Sequence, residues 1–139
     1  MNAPCRTRLV RTCTSALLLA MCAGVCAQAE APKLAPSYEG SWDNLEAPVT
    51  NNMRITIDKV DPDGTIQGTY ARFARYCSAK GIAMKGKLAG TTLELVPDFG
   101  TDVNCKDTSW TFQVQPDGKL VGLGQSYFRL KAALQPVAK

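Results

Sequence analysis

The stretch VDPDGTIQG at residues 60–68 recurs, in altered form, as VQPDGKLVG at residues 114–122. Five of the nine positions are identical, and Ile66 corresponds to Leu120. In both copies Pro-Asp-Gly is typical of a tight turn, because proline fixes one backbone angle and glycine accepts a positive φ. An alternating strand follows each turn, so each copy predicts a β-hairpin. The repeat therefore favours an antiparallel, all-β fold.

Short alternating segments follow one another through the rest of the chain, and none has the 3.6-residue period of a helix. The predicted strands are residues 38–43, 51–60, 65–73, 82–88, 92–95, 110–114, 119–124 and 126–130. About eight strands in an up-and-down meander leave exposed edges unless they close on themselves. We therefore predict a small closed β-barrel, with a two-sheet sandwich as the alternative.

The first 29 residues have the pattern of a secretory signal peptide. A basic start with three arginines precedes the apolar core at residues 15–25, and Ala27-Gln28-Ala29 is a small-residue cleavage site. Residues 30–36 are rich in proline and alanine and are expected to form a flexible leader, so that residues 37–139 form a single β domain. We expect a periplasmic or secreted protein after cleavage near Ala29. A lipid anchor on Cys22 is the alternative.

Removal of the signal changes the charge of the chain. The full sequence has 16 basic and 12 acidic residues, a net charge of +4. Three of the 16 basic residues lie in the signal, so residues 30–139 carry 13 basic and 12 acidic residues, a net charge of +1. A broad basic surface for nucleic acid is therefore not expected. The basic residues between Arg72 and Lys87 are expected to form a solvated strand face. No segment after the signal is apolar enough for a transmembrane helix.

Two cysteines remain after the signal, Cys77 and Cys105. In an oxidising compartment they are expected to form one structural disulfide, since there is no Cys-x-x-Cys redox motif. The disulfide would close a loop of 29 residues, which in the chain-entropy model contributes about 3–4 kcal/mol to stability.

The residue inventory restricts catalysis and metal binding. The chain has no histidine, so it lacks the commonest general base and metal ligand. Asp61 and Asp63 belong to a hairpin turn and are interpreted as turn residues, not as a calcium site. We predict no catalytic residue, no metal site and no cofactor. An enzyme that uses only carboxylates, such as Asp58 and Glu94, is the remaining catalytic alternative.

Interior glycines and aromatic residues give two interpretations of the barrel interior. Gly68, Gly86 and Gly122 share the parity of the apolar residues in their strands and indicate either strand bending or room for a ligand. Tryptophan and tyrosine side chains combine apolar area with a polar group, so a subset of them is expected to face a ligand. The aromatic residues expected to converge on closure are Trp42, Tyr70, Trp110, Phe112, Tyr127 and Phe128.

Three motifs resemble the opening of avidin-type biotin binders: Gly40-Ser41-Trp42 with the following Asn44, then Met53-Arg54-Ile55, then residues 63–70. The Gly-x-Trp motif also resembles the lipocalins, and both families belong to the calycin group of small barrels. The resemblance implies that Asn44 and Tyr70 lie near ligand-contacting positions and that Trp110 forms a wall. It implies a fold more than a particular ligand.

Two non-catalytic functions remain beside the carboxylate-only enzyme. The first is a non-enzymatic barrel that binds a small apolar or amphipathic molecule, or presents loops, with Trp42, Asn44, Tyr70, Trp110 and Tyr127 as the candidate binding residues. The second is an interaction module, such as a partner of an envelope protein or a hydrolase inhibitor. Its recognition surface would be the loops at residues 75–81 and 97–107, made rigid by the Cys77–Cys105 disulfide.

Overall fold

The computed structural model describes residues 32–75, 77–101, 105 and 108–138. The signal segment at residues 1–29 lies outside the described residues. Eight strands form the fold: β1 (Ser37–Asn44), β2 (Val49–Val60), β3 (Thr65–Phe73), β4 (Ala79–Ala89), β5 (Thr92–Pro97), β6 (Ser109–Val114), β7 (Leu120–Gln125) and β8 (Arg129–Pro136).

Each strand pairs antiparallel with the next, and β1 pairs with β8, so the sheet closes on itself. The closing register places Gly40 opposite Leu134 and Trp42 opposite Ala132. The prediction of an eight-stranded up-and-down barrel is confirmed, and the sandwich alternative is wrong. No helix in the described part of the chain is long and apolar enough to cross a membrane.

The position of the last strand differs from the prediction. The sequence predicts a strand at residues 126–130, but β8 spans Arg129–Pro136. Residues 126–128 form a tight turn in which the Ser126 amide donates a hydrogen bond to the Phe128 carbonyl. The strand is determined by its pairing with β1 and β7, which places Leu130, Ala132 and Leu134 inside the barrel.

The barrel interior is filled with side chains. Inward-facing residues of all eight strands are almost completely buried and form one cluster, as expected for an eight-stranded barrel of this size. Its members are Tyr38, Trp42, Met53, Ile55, Ile66, Tyr70, Met84, Leu93, Leu95, Trp110, Phe112, Val114, Leu120, Leu130, Ala132 and Leu134. The described inward-facing side chains therefore form one continuous apolar core between the two ends.

The interior glycines allow close approach of neighbouring strands. A Cβ atom on Gly68 would collide with the Thr56 carbonyl oxygen of β2, and one on Gly122 would collide with the Thr111 carbonyl oxygen of β6. These contacts are backbone contacts across the ladder, so a side chain cannot be accommodated. Of the two interpretations, strand bending and close packing explain these glycines.

The two Pro-Asp-Gly turns have the same hydrogen bonds. Asp63 Oδ1 accepts a hydrogen bond of 2.9 Å from the Thr65 amide, and Asp117 Oδ1 accepts one of 3.1 Å from the Lys119 amide. Gly64 and Gly118 have φ values of 85° and 81°, which is the left-handed region that glycine tolerates. Both aspartates therefore serve the turns, as the sequence indicates.

The leader contacts the barrel at its described end. Leu34 and Ala35 pack against the core, and the Ala35 amide donates a hydrogen bond of 2.8 Å to the Tyr38 hydroxyl. The Pro36 carbonyl accepts a hydrogen bond from the Ile57 amide at 2.9 Å. Residues 34–36 thus extend the pairing of β1 and cover part of the core.

Candidate functional site

Four connections lie at one end of the barrel, which we call the mouth. They join β1 to β2, β3 to β4, β5 to β6 and β7 to β8, because a meander turns alternately at its two ends. The Pro-Asp-Gly turns lie at the opposite end. The Cys77–Cys105 disulfide links the β3–β4 and β5–β6 connections, with Cα atoms 5.2 Å apart. The predicted disulfide is therefore present, and it constrains the mouth.

A pocket of about 430 Å³ opens at the mouth. It combines apolar and aromatic side chains with polar ones and contains no carboxylate among its described residues. The lining residues are Trp42, Asn44, Val49, Asn51, Arg72, Ala74, Arg75, Cys77, Ser126, Tyr127, Phe128 and Leu130. Trp42, Arg72 and Leu130 come from inward-facing strand positions, and we call these three the floor of the pocket.

A groove of similar volume, about 430 Å³, lies outside the barrel along β1 and β2. It is more open to solvent than the mouth pocket. Glu39 and Arg54 line it and form an ion pair with each other, so their charges are already matched. We therefore place the candidate site at the mouth.

Arg72 is the charged residue of the pocket floor. It shares the parity of Ile66 and Tyr70, so its side chain points into the barrel, and a β-bulge separates it from Tyr70 in the pairing with β4. Its guanidinium carbon lies 4.3 Å from the centre of the Trp42 ring. Nη1 donates a long hydrogen bond of 3.4 Å to the Thr108 hydroxyl. This stacking fixes the plane of the guanidinium group.

Four buried polar atoms at or beside the floor have no hydrogen-bond partner among the described residues. They are the indole nitrogens of Trp42 and Trp110, the Tyr70 hydroxyl and the Arg72 Nε. All four groups can donate a hydrogen bond. Buried polar groups are normally paired, so such a cluster indicates a place where an acceptor would be stabilised.

The Tyr70 hydroxyl lies near both Arg72 and the Trp110 N–H. Burial raises the pKa of Tyr70 to about 12, while the nearby charge of Arg72 and the N–H of Trp110 act to lower it. The Trp110 N–H is close enough to the Tyr70 hydroxyl to affect its pKa, but the two groups do not meet the full geometric criteria for a hydrogen bond. Burial also lowers the pKa of Arg72, but a guanidinium group remains charged throughout the physiological range.

The structure divides the predicted binding residues into two groups. Trp42, Asn44 and Tyr127 line the mouth pocket. Tyr70 and Trp110 are 1% exposed and do not line it, although their unpaired donors belong to the cluster. Tyr127 lies in the β7–β8 turn and is 75% exposed, so it forms the rim of the pocket and does not enter the barrel.

Asn44 has a local role in addition to lining the pocket. Its side-chain oxygen accepts a hydrogen bond of 2.8 Å from the Glu46 amide and so stabilises the β1–β2 turn. Its amide nitrogen has no such role in the turn. The resemblance to avidins implies a ligand contact at Asn44, and this remains a prediction.

Sequence reasoning missed Arg72, Asn51 and Leu130 as pocket residues. Arg72 is expected from the sequence to lie on a solvated strand face, but it points inward. Its parity with Tyr70 is the signal that indicates this orientation. The sequence predicts Leu130 at the end of a strand. In the structure Leu130 is the first of the inward-facing residues of β8.

The carboxylates that the catalytic alternative requires lie outside the pocket. Asp58 and Glu94 are exposed on β2 and β5, and neither lines the mouth. The described residues contain no group of three or more acidic, cysteine or histidine side chains that could hold a metal ion. Asp102 and Asp107 belong to the loop at residues 97–107 and lie outside the described residues.

Comparison of the chain with protein families, with curated protein sequences and with solved structures found no match.

Proposed function

We propose that the protein is a non-enzymatic binding barrel that takes a small amphipathic molecule in its mouth pocket. The observation that carries the proposal is the pocket itself: its volume is about 430 Å³, and its lining combines apolar residues such as Phe128 and Leu130 with the polar residues Arg72 and Asn51. Pockets of this size that place a few polar groups among apolar ones are typical of small-molecule sites.

The filled interior supports a binding site at the mouth. Met53, Ile55 and Phe112 are at most 1% exposed in the interior, so a ligand would need to displace packed side chains to enter further. The absence of histidine from the sequence and the position of Asp58 and Glu94 support binding over catalysis.

Export forms part of the same proposal. The Cys77–Cys105 disulfide is typical of a protein in an oxidising compartment, and the first 29 residues resemble a signal peptide. Intact-mass and N-terminal analysis of protein purified from its host tests this. An N-terminus at Glu30 supports cleavage after Ala29, an acylated N-terminus at Cys22 supports a lipid anchor, and an uncleaved chain contradicts export by this signal.

Fluorescence titration with N-phenyl-1-naphthylamine, a neutral dye that brightens in apolar surroundings, tests binding in the mouth. Ala74 lines the pocket, so Ala74→Phe should fill it and weaken binding. Ala133→Phe adds the same ring to an exposed position on the outer face of β8 and serves as the matched control. Saturable binding that only Ala74→Phe reduces supports the proposal, and equal binding by all three proteins contradicts it.

Exposed apolar residues at the mouth favour a second candidate, a protein-interaction surface. Tyr127, Phe128 and Leu45 are 75%, 50% and 49% exposed. Leu45 does not line the mouth pocket, so Leu45→Asp discriminates the two functions. Loss of a co-purifying envelope protein with dye binding retained favours the interaction surface, while retention of both properties favours the small-molecule site.

A further inference from the structure

The charged side chains among the described lining residues of the mouth pocket are basic. Two arginines, Arg72 and Arg75, line the pocket, and the lining residues of the described chain include no aspartate or glutamate. Five ion pairs between described residues do not involve Arg72: Glu39–Arg54, Asp61–Lys59, Asp63–Lys87, Asp117–Lys119 and Glu46–Arg129. Arg72 has no carboxylate partner among the described residues.

Arg72 is also oriented for binding. The Trp42 ring covers one face of the guanidinium group at 4.3 Å, which leaves the edges of the group available for hydrogen bonds. One edge atom, Nη1, makes the long bond to Thr108, and Nε is buried with no partner. A guanidinium group held in a fixed plane binds planar oxyanions well, because two parallel N–H bonds can form.

The unpaired donors at or beside the pocket floor favour the same type of ligand group. The Trp42 N–H, the Tyr70 hydroxyl and the Trp110 N–H join Arg72 Nε in a cluster that contains four donors. The lining residues Val49, Phe128 and Leu130 offer apolar contact. This arrangement is complementary to a molecule that has an apolar or aromatic body and an acceptor-rich end.

We infer that the mouth pocket selects an amphipathic anion, an aromatic or aliphatic molecule that carries a carboxylate, and that Arg72 binds the carboxylate at the pocket floor. This inference rests on the proposed function and specifies the chemical class of its ligand. Tyr127 and Phe128 at the rim contact the apolar body.

Isothermal titration calorimetry with 1-naphthoate and 1-naphthamide tests the inference. The two compounds have nearly the same shape and differ in charge, so the ratio of their dissociation constants measures selection for the anion. The wild-type protein should bind naphthoate at least about ten-fold more tightly, because a hydrogen bond to a charged group stabilises more than a neutral one.

Two variants test whether Arg72 is responsible for the preference for the anion. Arg72→Gln should reduce the ratio to about one. Arg129→Gln removes an arginine that pairs with Glu46 and does not line this pocket, so the ratio should be retained. Near-ultraviolet circular dichroism checks that each variant is folded. If Arg72→Gln does not fold, the wild-type ratio still decides whether the pocket selects the anion, because that comparison needs no variant. The position of the carboxylate in a crystal structure with bound 1-naphthoate then decides the role of Arg72.

The outcomes separate the inference from the proposed function. If neither naphthalene compound nor the neutral dye binds, the proposed function fails. If naphthoate and naphthamide bind with equal affinity, the mouth pocket stands and the anion inference is overturned. If both arginine variants reduce the ratio equally, the preference is a general charge effect, which also overturns the role of Arg72.

Discussion

The guanidinium group of Arg72 stacks on the indole ring of Trp42, with 4.3 Å between the guanidinium carbon and the ring centre. β3 and β1 provide the two side chains, and both strands pair with β2, so the contact spans the inner face of β2 at the mouth. The stack gives the pocket a floor that is both rigid and charged. The proposed binding of an anion at the mouth depends on this contact.

Removal of the Trp42 ring should destabilise the fold as well as release Arg72. Trp42 is 3% exposed, so Trp42→Ala should reduce the free energy of unfolding by about 3–5 kcal/mol, as burial and the cavity term together predict. Urea denaturation measures this. Leu123→Ala, at a position 60% exposed on β7, is the control and should change stability by less than about 0.5 kcal/mol. A loss below about 1 kcal/mol for Trp42→Ala would contradict the packing described here.

The Trp110 ring packs on Gly124 across the β6–β7 pair, which predicts a steric conflict for any side chain there. A Cβ atom at Gly124 would lie 2.7 Å from two atoms of the six-membered ring of Trp110. Gly124→Ala should therefore cost about 1–3 kcal/mol through overpacking. The same substitution in a Trp110→Phe background should cost less, because the conflicting atoms are removed. Equal costs in the two backgrounds, measured by thermal denaturation, would contradict the account.

Reduction of the Cys77–Cys105 disulfide should lower stability and loosen the mouth. The 29-residue loop predicts a loss of about 3–4 kcal/mol in the chain-entropy model. Because Cys77 lines the pocket, dye affinity should fall as well. The double variant Cys77→Ser, Cys105→Ser should behave like the reduced protein and should not respond to a reductant. An unchanged unfolding midpoint after complete reduction would argue against a structural role for the disulfide.

The Asp63 carboxylate should contribute a pH-dependent part of the stability. The Thr65 amide, Lys87 and the Thr65 hydroxyl lower the pKa of Asp63, so folding favours the ionised form. This contribution is present above the unfolded pKa, about 3.9, and is lost as the pH falls towards the folded value. Asp63→Asn should flatten the stability profile below about pH 4, and Lys87→Met should do so in part. Profiles that coincide with that of the wild type would contradict this prediction.

The hairpins could be predicted from the sequence because their determinants are local. Pro-Asp-Gly specifies the turn, and alternating residues such as Ile66 and Tyr70 specify the inward face. Closure into a barrel followed from the number of strands and from the cost of open edges. The start and end of β8 could not be predicted in the same way, because they depend on pairing with β1, at the other end of the chain.

The site was predicted less completely than the fold. The alternation of residues along β1 identifies Trp42 as an inward-facing aromatic residue. The sequence does not show how facing side chains fill the interior. It therefore leaves open whether Tyr70 and Trp110 belong to the core or contact a ligand. Arg72 was missed because a basic residue in a strand usually faces solvent. Its inward orientation becomes apparent only when the strand parity is followed past Tyr70 to the mouth.

The most direct test of the account is a crystal structure of the protein with bound 1-naphthoate. The account predicts the naphthalene ring beside Phe128 and Leu130 at the mouth, with the carboxylate oxygens about 3 Å from the Arg72 guanidinium nitrogens. Density for the compound in the groove along β1 and β2, or in an opened barrel interior with Phe112 displaced, would contradict it.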